Sequence, residues 1–311
     1  MKKLISIVTP CYNEEDNVEE LFRRVEKVFN TQLPQYDFEH IFIDNASTDK
    51  TVEKLKAMAL TDARVKLIIN SRNFGHVRSP LYGLLQASGD AVISVVADLQ
   101  DPPEMIPSFI EKWEEGNDIV LAIKKDSEEN KIVFRIRKFY YNLLSRLSEV
   151  KIFKNYTGFG LYNRKVMDAL RTFQDPYPFF RGMIAEVGFK VAELAYNQPV
   201  REKGITKNNF YSLYDMGILG IMNNSKVPLR LVVFLGFILS SISAFVGLGY
   251  LIAKIIYWNE MKLGMAPLVI GGAFAFSIMI FFLGIIGEYI GAIYTQVLNR
   301  PLVFEKDRIN F

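Results

Sequence analysis

Two hydrophobic patterns divide the chain. In residues 1–125 short apolar runs at 4–8, 40–43, 65–69, 91–96 and 118–122 alternate with amphipathic stretches that begin near Glu14, Thr48, His76 and Pro103. Short apolar runs separated by segments of helical periodicity read as strands and helices in turn. That alternation predicts an α/β domain, a mostly parallel sheet covered by helices on both faces. Ligands of such sheets bind beyond the carboxyl ends of the strands. The polar clusters of this region fall at those ends: Pro10-Cys11-Tyr12-Asn13-Glu14, Asp44-Asn45, Asn70-Ser71-Arg72-Asn73 and Asp98-Leu99-Gln100-Asp101.

The second pattern is continuous rather than periodic. Residues 231–253 and 264–287 carry no charge. At about 1.5 Å of rise per residue each run is roughly 35 Å long as a helix, enough to cross a hydrocarbon core of about 30 Å. Two transmembrane helices are predicted within residues 229–293. Lys226 and Arg230 precede the first, Arg300, Lys306 and Arg308 follow the second, and only Lys254, Glu260 and Lys262 lie between. This bias puts both termini on the cytoplasmic side. The start of the chain lacks a signal-peptide pattern, which predicts that the first 226 or so residues stay where they are made. Together these features predict a two-span protein of the inner (cytoplasmic) membrane with a cytoplasmic domain at residues 1–208 and a cytoplasmic tail at 294–311. Gly271-Gly272-Ala273 would let helices approach closely, so a homo-oligomer is compatible with the second span.

Two further stretches are amphipathic. Residues 131–147 contain Lys131, Arg135, Arg137, Lys138 and Arg146 and no acid, with Ile132, Ile136, Tyr140, Leu143 and Leu147 at helical spacing. A basic amphipathic helix of this kind lies in a membrane interface and attracts phosphates, although a solvated surface helix reads the same way. Residues 209–228 form a second, juxtamembrane segment in which Phe210, Tyr211, Leu213 and Tyr214 suit headgroup depth. Net charge, at +3, adds little, and its placement does not suggest a nucleic-acid partner. The single cysteine, Cys11, excludes an intramolecular disulfide and suits a reducing compartment.

The chemistry concentrates in Asp98-Leu99-Gln100-Asp101. On an extended chain Asp98 and Gln100 point to one side, and hard oxygen donors suit Mg²⁺ or Mn²⁺ shared with a diphosphate. Val8-Thr9-Pro10-Cys11-Tyr12-Asn13-Glu14-Glu15, Ile43-Asp44-Asn45-Ala46-Ser47-Thr48-Asp49 and Ala97-Asp98-Leu99-Gln100-Asp101-Pro102-Pro103-Glu104 together resemble the family 2 glycosyltransferases of GT-A (Rossmann-like) fold. The similarity is to their polyprenyl-phosphate branch, which includes dolichol-phosphate mannose synthases and bactoprenol glucosyltransferases. It extends to Gly287-Glu288-Tyr289-Ile290-Gly291-Ala292-Ile293-Tyr294 and Asn299-Arg300-Pro301.

The resemblance implies roles. Pro10, Tyr12, Glu14, Asp44 and Asn73 would line the nucleotide-sugar pocket, and Asp98 and Gln100 would hold a divalent metal on the diphosphate. Arg201 and Lys207 match a basic loop that approaches the phosphates, and Arg135, Arg137 and Lys138 are the candidates for the lipid phosphate. The expected reaction is an inverting transfer from a nucleotide-sugar, UDP-glucose or a related UDP-sugar, to polyprenyl (undecaprenyl) phosphate.

The chain departs from the family pattern in two places. Val96 stands where the family often has an Asp, so the metal rests on Asp98, Gln100 and substrate, or Asp101 contributes. The stretch Thr157-Gly158-Phe159-Gly160-Leu161-Tyr162-Asn163-Arg164 lacks the acid of the family's Gly-Asp-Phe-Arg, leaving Asp101 and Glu186 as acid–base candidates. A polysaccharide synthase and a catalytically silent nucleotide-sugar-binding scaffold are the alternative readings.

Overall fold

The structure, a computed structural model, describes residues 2–125, 153, 155–199, 227–257 and 264–311. Eight strands form one sheet: β1 (Leu4–Cys11), β2 (Asp37–Asp44), β3 (Val65–Asn70), β4 (Ala91–Ser94), β5 (Ile119–Lys124), β6 (Tyr156–Asn163), β7 (Val191–Tyr196) and β8 (Glu305–Ile309). Their order is β7-β5-β6-β4-β1-β2-β3-β8. The pairs β1–β2, β1–β4 and β2–β3 are parallel, as the alternating pattern predicts, and so is β5–β7, whose second strand that pattern did not include. Strand β6 runs antiparallel to both β4 and β5, and β8 antiparallel to β3. The sheet is therefore mixed, and β6, β7 and β8 come from segments whose sequence gave no strand signal.

Helices α1 (Val18–Gln32), α2 (Thr51–Thr61) and α4 (Ile106–Glu114) cover one face. Helices α3 (Gly75–Leu85), α5 (Arg164–Arg171) and α6 (Phe180–Glu186) cover the other. α1 shows why: Val18, Leu21, Val25, Val28 and Phe29 recur every three or four residues and all are buried. Central strands enclosed on both faces need apolar residues at nearly every position, and in β2 every residue after Asp37 is buried. α3 crosses β2 at Gly83, where a Cβ would come within 2.8 Å of the Ile43 side chain, so only glycine allows this approach.

Helices α7 (Val227–Ile256) and α8 (Met265–Leu298) follow the domain. The segments Leu229–Ile256 and Phe274–Leu298 contain 18-residue stretches of mean hydropathy 2.4 and 2.0, are long and apolar enough to cross a membrane, and none of the described residues in those stretches is buried in the protein. α8 continues to Leu298, beyond the end at 293 that hydropathy marks. Its 34 residues amount to roughly 51 Å of helix. It stops at Asn299, whose left-handed backbone (φ 41°) turns the chain.

The chain then rejoins the domain. Ser71 N–H donates to the Phe304 carbonyl (2.8 Å), and Ile309, Arg308 and Asp307 lie opposite Leu67, Ile68 and Ile69. Asn310 donates from its side chain to the carbonyls of Ala59 and Val65. Residues 305–309, within the expected tail at 294–311, cap the outer edge of β3, which would otherwise present unpaired backbone groups. Because the sheet holds both the first and the last strand, any bilayer crossed by α7 must be recrossed by α8.

Candidate active site

The loops after β1, β2 and β4 meet at the carboxyl end of the sheet, and each contains a non-glycine residue at positive φ: Asn13 (56°), Ala46 (61°) and Leu99 (61°). Asn tolerates this region, whereas Ala and Leu pay for it. Strain of order 1–3 kcal/mol per residue persists only where the surroundings impose it, and it collects at functional sites.

A hydrogen-bond lattice imposes it between the first two loops. Asn13 N–H donates to Ser47 Oγ (2.9 Å), and Thr48 N–H donates back to Asn13 Oδ1 (2.7 Å). Glu14 N–H donates to Thr51 Oγ1 (2.8 Å), and Lys50 N–H to Glu15 Oε2 (3.0 Å). Asp44 ends β2 fully buried. Its Oδ2 accepts the Ser47 N–H (2.9 Å), while Oδ1 has no hydrogen-bond partner within the protein. Burial raises the Asp44 carboxyl above its ordinary pKa. An orphaned, inward-held acceptor at a strand end is a ready receptor for an N–H or O–H of a ligand. Burial, with the nearby charges of Asp44, Glu14 and Asp49, also drives the Cys11 thiol well up, so three carboxylates surround this corner.

Asn45 was not singled out by the sequence as a site residue, although it follows Asp44. Its Oδ1 accepts from Phe74 N–H (2.8 Å) and Asn70 Nδ2 (3.2 Å), and its Nδ2 donates to Asn73 Oδ1 (2.9 Å). Asn73 Oδ1 also receives the Gly75 N–H (2.8 Å), so this oxygen is used in tying the end of β3 to α3.

The third loop corrects an expectation. β4 ends at Ser94, and Asp98 and Gln100 do not lie on an extended chain: Leu99, buried and at φ 61°, folds them into a turn closed by Gln100 N–H donating to Asp98 Oδ1 (3.2 Å). Gln100 Nε2 donates to the Pro199 carbonyl (3.3 Å), which holds the side-chain amide and leaves Oε1 as its acceptor end. Asp101 is 2% exposed. Its two oxygens accept from Val96 N–H (3.3 Å) and Tyr196 Oη (3.2 Å). Burial and the neighbouring Asp98 charge push its pKa up to about 7. Tyr196 was also missed, because β7 has no strand signature. The position that lacks the family acid is filled by Phe159, buried edge-on against Phe109 (4.8 Å) and Tyr196 (5.7 Å).

Among the described residues no three His, Cys, Asp or Glu side chains gather as a closed metal cage. A half-buried Asp98 carboxylate and the Gln100 amide oxygen fit a hard cation that keeps several ligands from water and substrate, the habit of Mg²⁺ and Mn²⁺. Glu186 lies elsewhere, in a 310 Å³ cleft lined also by Asp175, Phe179, Met183 and Gln296 of α8. None of Asp98, Gln100 and Asp101 borders that cleft. Arg135, Arg137, Lys138, Arg201 and Lys207 lie outside the described residues, as do residues 209–226.

Residues 6–171 match the glycosyl transferase family 2 model. An uncharacterized glycosyltransferase of Synechocystis sp. is 36% identical over 304 residues, covering 97% of this chain and 95% of that protein. The SfII prophage-derived bactoprenol glucosyl transferase of Shigella flexneri is 34% identical over 298 residues, 96% of each chain. A prophage bactoprenol glucosyl transferase homolog of Escherichia coli K12 is 33% identical over the same length, again 96% of each. The chain belongs to glycosyl transferase family 2 and is a glycosyltransferase.

Proposed function

We propose that this glycosyltransferase moves a sugar from a nucleotide-sugar, UDP-glucose or a related UDP-sugar, to polyprenyl phosphate at the cytoplasmic face of the inner membrane. The observation that carries the reading is the end-to-end match to bactoprenol glucosyl transferases, which spans the catalytic sheet and both apolar helices alike. A soluble acceptor would not call for the helices.

In this reading the orphaned Asp44 oxygen receives a donor group of the nucleotide base, and Pro10, Tyr12 and Glu14 complete the pocket wall. Asp98 and Gln100 would hold a divalent cation, Mg²⁺ or Mn²⁺. What that cation supplies when bound is neutralisation of charge on the departing diphosphate. Asp98 is the ligand carboxylate, and Asp101 acts through it: anchored to Val96 and Tyr196, Asp101 fixes the turn that aims Asp98. No side-chain base is required at the acceptor. A phosphate monoester has its second pKa near 6 and is already anionic at neutral pH. The protein's task is alignment behind the anomeric carbon, worth several kcal/mol, and the product is the inverted anomer. Arg201 and Lys207 are the candidates to steady the leaving diphosphate, and Arg135, Arg137 and Lys138 to hold the lipid phosphate.

The test is transfer of labelled sugar to undecaprenyl phosphate by purified full-length protein, with a panel of nucleotide-sugars and Mg²⁺ or Mn²⁺. A lipid-soluble product of inverted configuration is expected, and Asp98→Ala should reduce its rate at least about a hundredfold. A lipid-free polymer would point instead to a polysaccharide synthase, and binding of UDP without any transfer to a scaffold.

A further inference from the structure

Where α8 leaves the apolar region the structure gathers three arginines that the reaction does not use. Arg72 and Arg78 both lie over the Phe74 ring, with guanidinium carbons 4.1 and 5.5 Å from its centroid. Phe304, from the segment that returns to the sheet, packs on the same ring at 6.2 Å. Arg78 donates through Nη2 to the Pro301 carbonyl, which places it beside Arg300, the second residue beyond α8. Its buried Nε has no hydrogen-bond partner. Burial and the charges of Arg72 and Arg300 lower the Arg78 pKa, with Tyr177 acting the other way, so Arg78 lies close to both other guanidiniums.

Among the described residues no carboxylate forms an ion pair with any of the three. Arg72 and Arg300 are exposed. Unneutralised guanidiniums held together against their own repulsion are unfavourable without an anion, and their planar forks match phosphate oxygens.

We infer that Arg72, Arg78 and Arg300 form a docking site for the phosphate headgroup of an anionic phospholipid, at the point where α8 passes from hydrocarbon to water. The inference rests on reading α8 as a membrane span. Position selects the occupant: Arg300 lies two residues beyond the apolar segment Phe274–Leu298, and basic side chains that flank a span attract anionic headgroups. The site stands apart from Asp98, beyond the end of β3 rather than β4, and orients the domain on the bilayer instead of binding a reactant.

The test uses full-length protein purified in neutral detergent with phosphatidylglycerol or phosphatidylcholine added, and native mass spectrometry to count retained lipid. Wild type should retain phosphatidylglycerol preferentially. Arg300→Gln should weaken retention about fivefold and Arg78→Gln/Arg300→Gln further, with phosphatidylcholine retention unchanged. Among the described residues the Arg300 side chain forms no hydrogen bond or ion pair, so its single variant remains informative if the double variant fails to fold. Equal phosphatidylglycerol retention by wild type and Arg300→Gln would overturn the inference. Displacement of the lipid by UDP would do so too, since the arginines would then belong to the donor pocket. Release of the chain from membranes by carbonate without detergent would instead defeat the spanning assignment beneath it.

Discussion

Replacing Asp101 by Asn separates a positioning carboxylate from a reacting one. The substitution keeps shape and both hydrogen bonds: the amide oxygen can accept from Val96 N–H, and the amide nitrogen can donate to Tyr196 Oη once that hydroxyl turns. What it removes is a charge that burial disfavours. The folded pKa of Asp101 is raised from 3.8 to about 7. Between those values the folded protein holds a proton that the unfolded chain has released. Stability therefore falls as pH rises through this window, and the loss is complete above about pH 7. At roughly 1.4 kcal/mol per unit the ceiling is about 4 kcal/mol. Thermal unfolding of full-length wild type and Asp101→Asn in detergent, from pH 5 to 9, should diverge with increasing pH, the variant becoming the more stable. Transferase activity should fall by less than about tenfold and keep its pH profile. Parallel stability curves would refute the charge argument. A loss of a thousandfold or more would make Asp101 the acid–base group and overturn its assignment as a strut.

Three other substitutions probe neighbouring features. Gly160→Ala would push a Cβ to within 2.6 Å of the Val120 carbonyl between β5 and β6, and should cost about 3 kcal/mol or prevent folding, as expression and Tm would reveal. Asp44→Ala should raise the KM for the nucleotide-sugar about tenfold or more while changing kcat less, as expected for lost ground-state binding. Truncation after Asn299 uncovers the β3 edge and removes the Asn310 bonds, and should lower Tm and promote aggregation measurable by light scattering.

The legible parts of this fold were those in which local pattern and tertiary role coincide. β1 to β5 are apolar because both their faces are covered, and the alternation with α1 to α4 carries their parallel order. β7 and β8 are different. In β7 (Val-Ala-Glu-Leu-Ala-Tyr) half-buried and exposed positions mix, and β8 (Glu-Lys-Asp-Arg-Ile) is almost wholly charged. Charge is what an outer-edge strand needs to resist further pairing, so the pattern that protects β8 also conceals it. At the site, Asp44 and Asp98 were readable from motif and strand-end position. The turn at Leu99 was not, since no residue type there announces positive φ and the strain is imposed by neighbours distant in sequence.

The hidden strand matters most for how the site is held. Asp98 sits on a turn tied to β7 through Asp101–Tyr196 and Gln100–Pro199. The opposite side of the same sheet is tied through β3 and β8 to the end of α8. Only six residues, 299–304, join α8 to β8. A link that short, with Ser71, Phe74 and Arg78 all bonded or packed to it, leaves the domain little freedom to swing about the helix. For the lipid-phosphate acceptor proposed above, that restriction would replace a search in three dimensions by a fixed standoff between Asp98 and the membrane. Such preorganisation lowers the entropic part of the barrier without any contact to the reacting atoms.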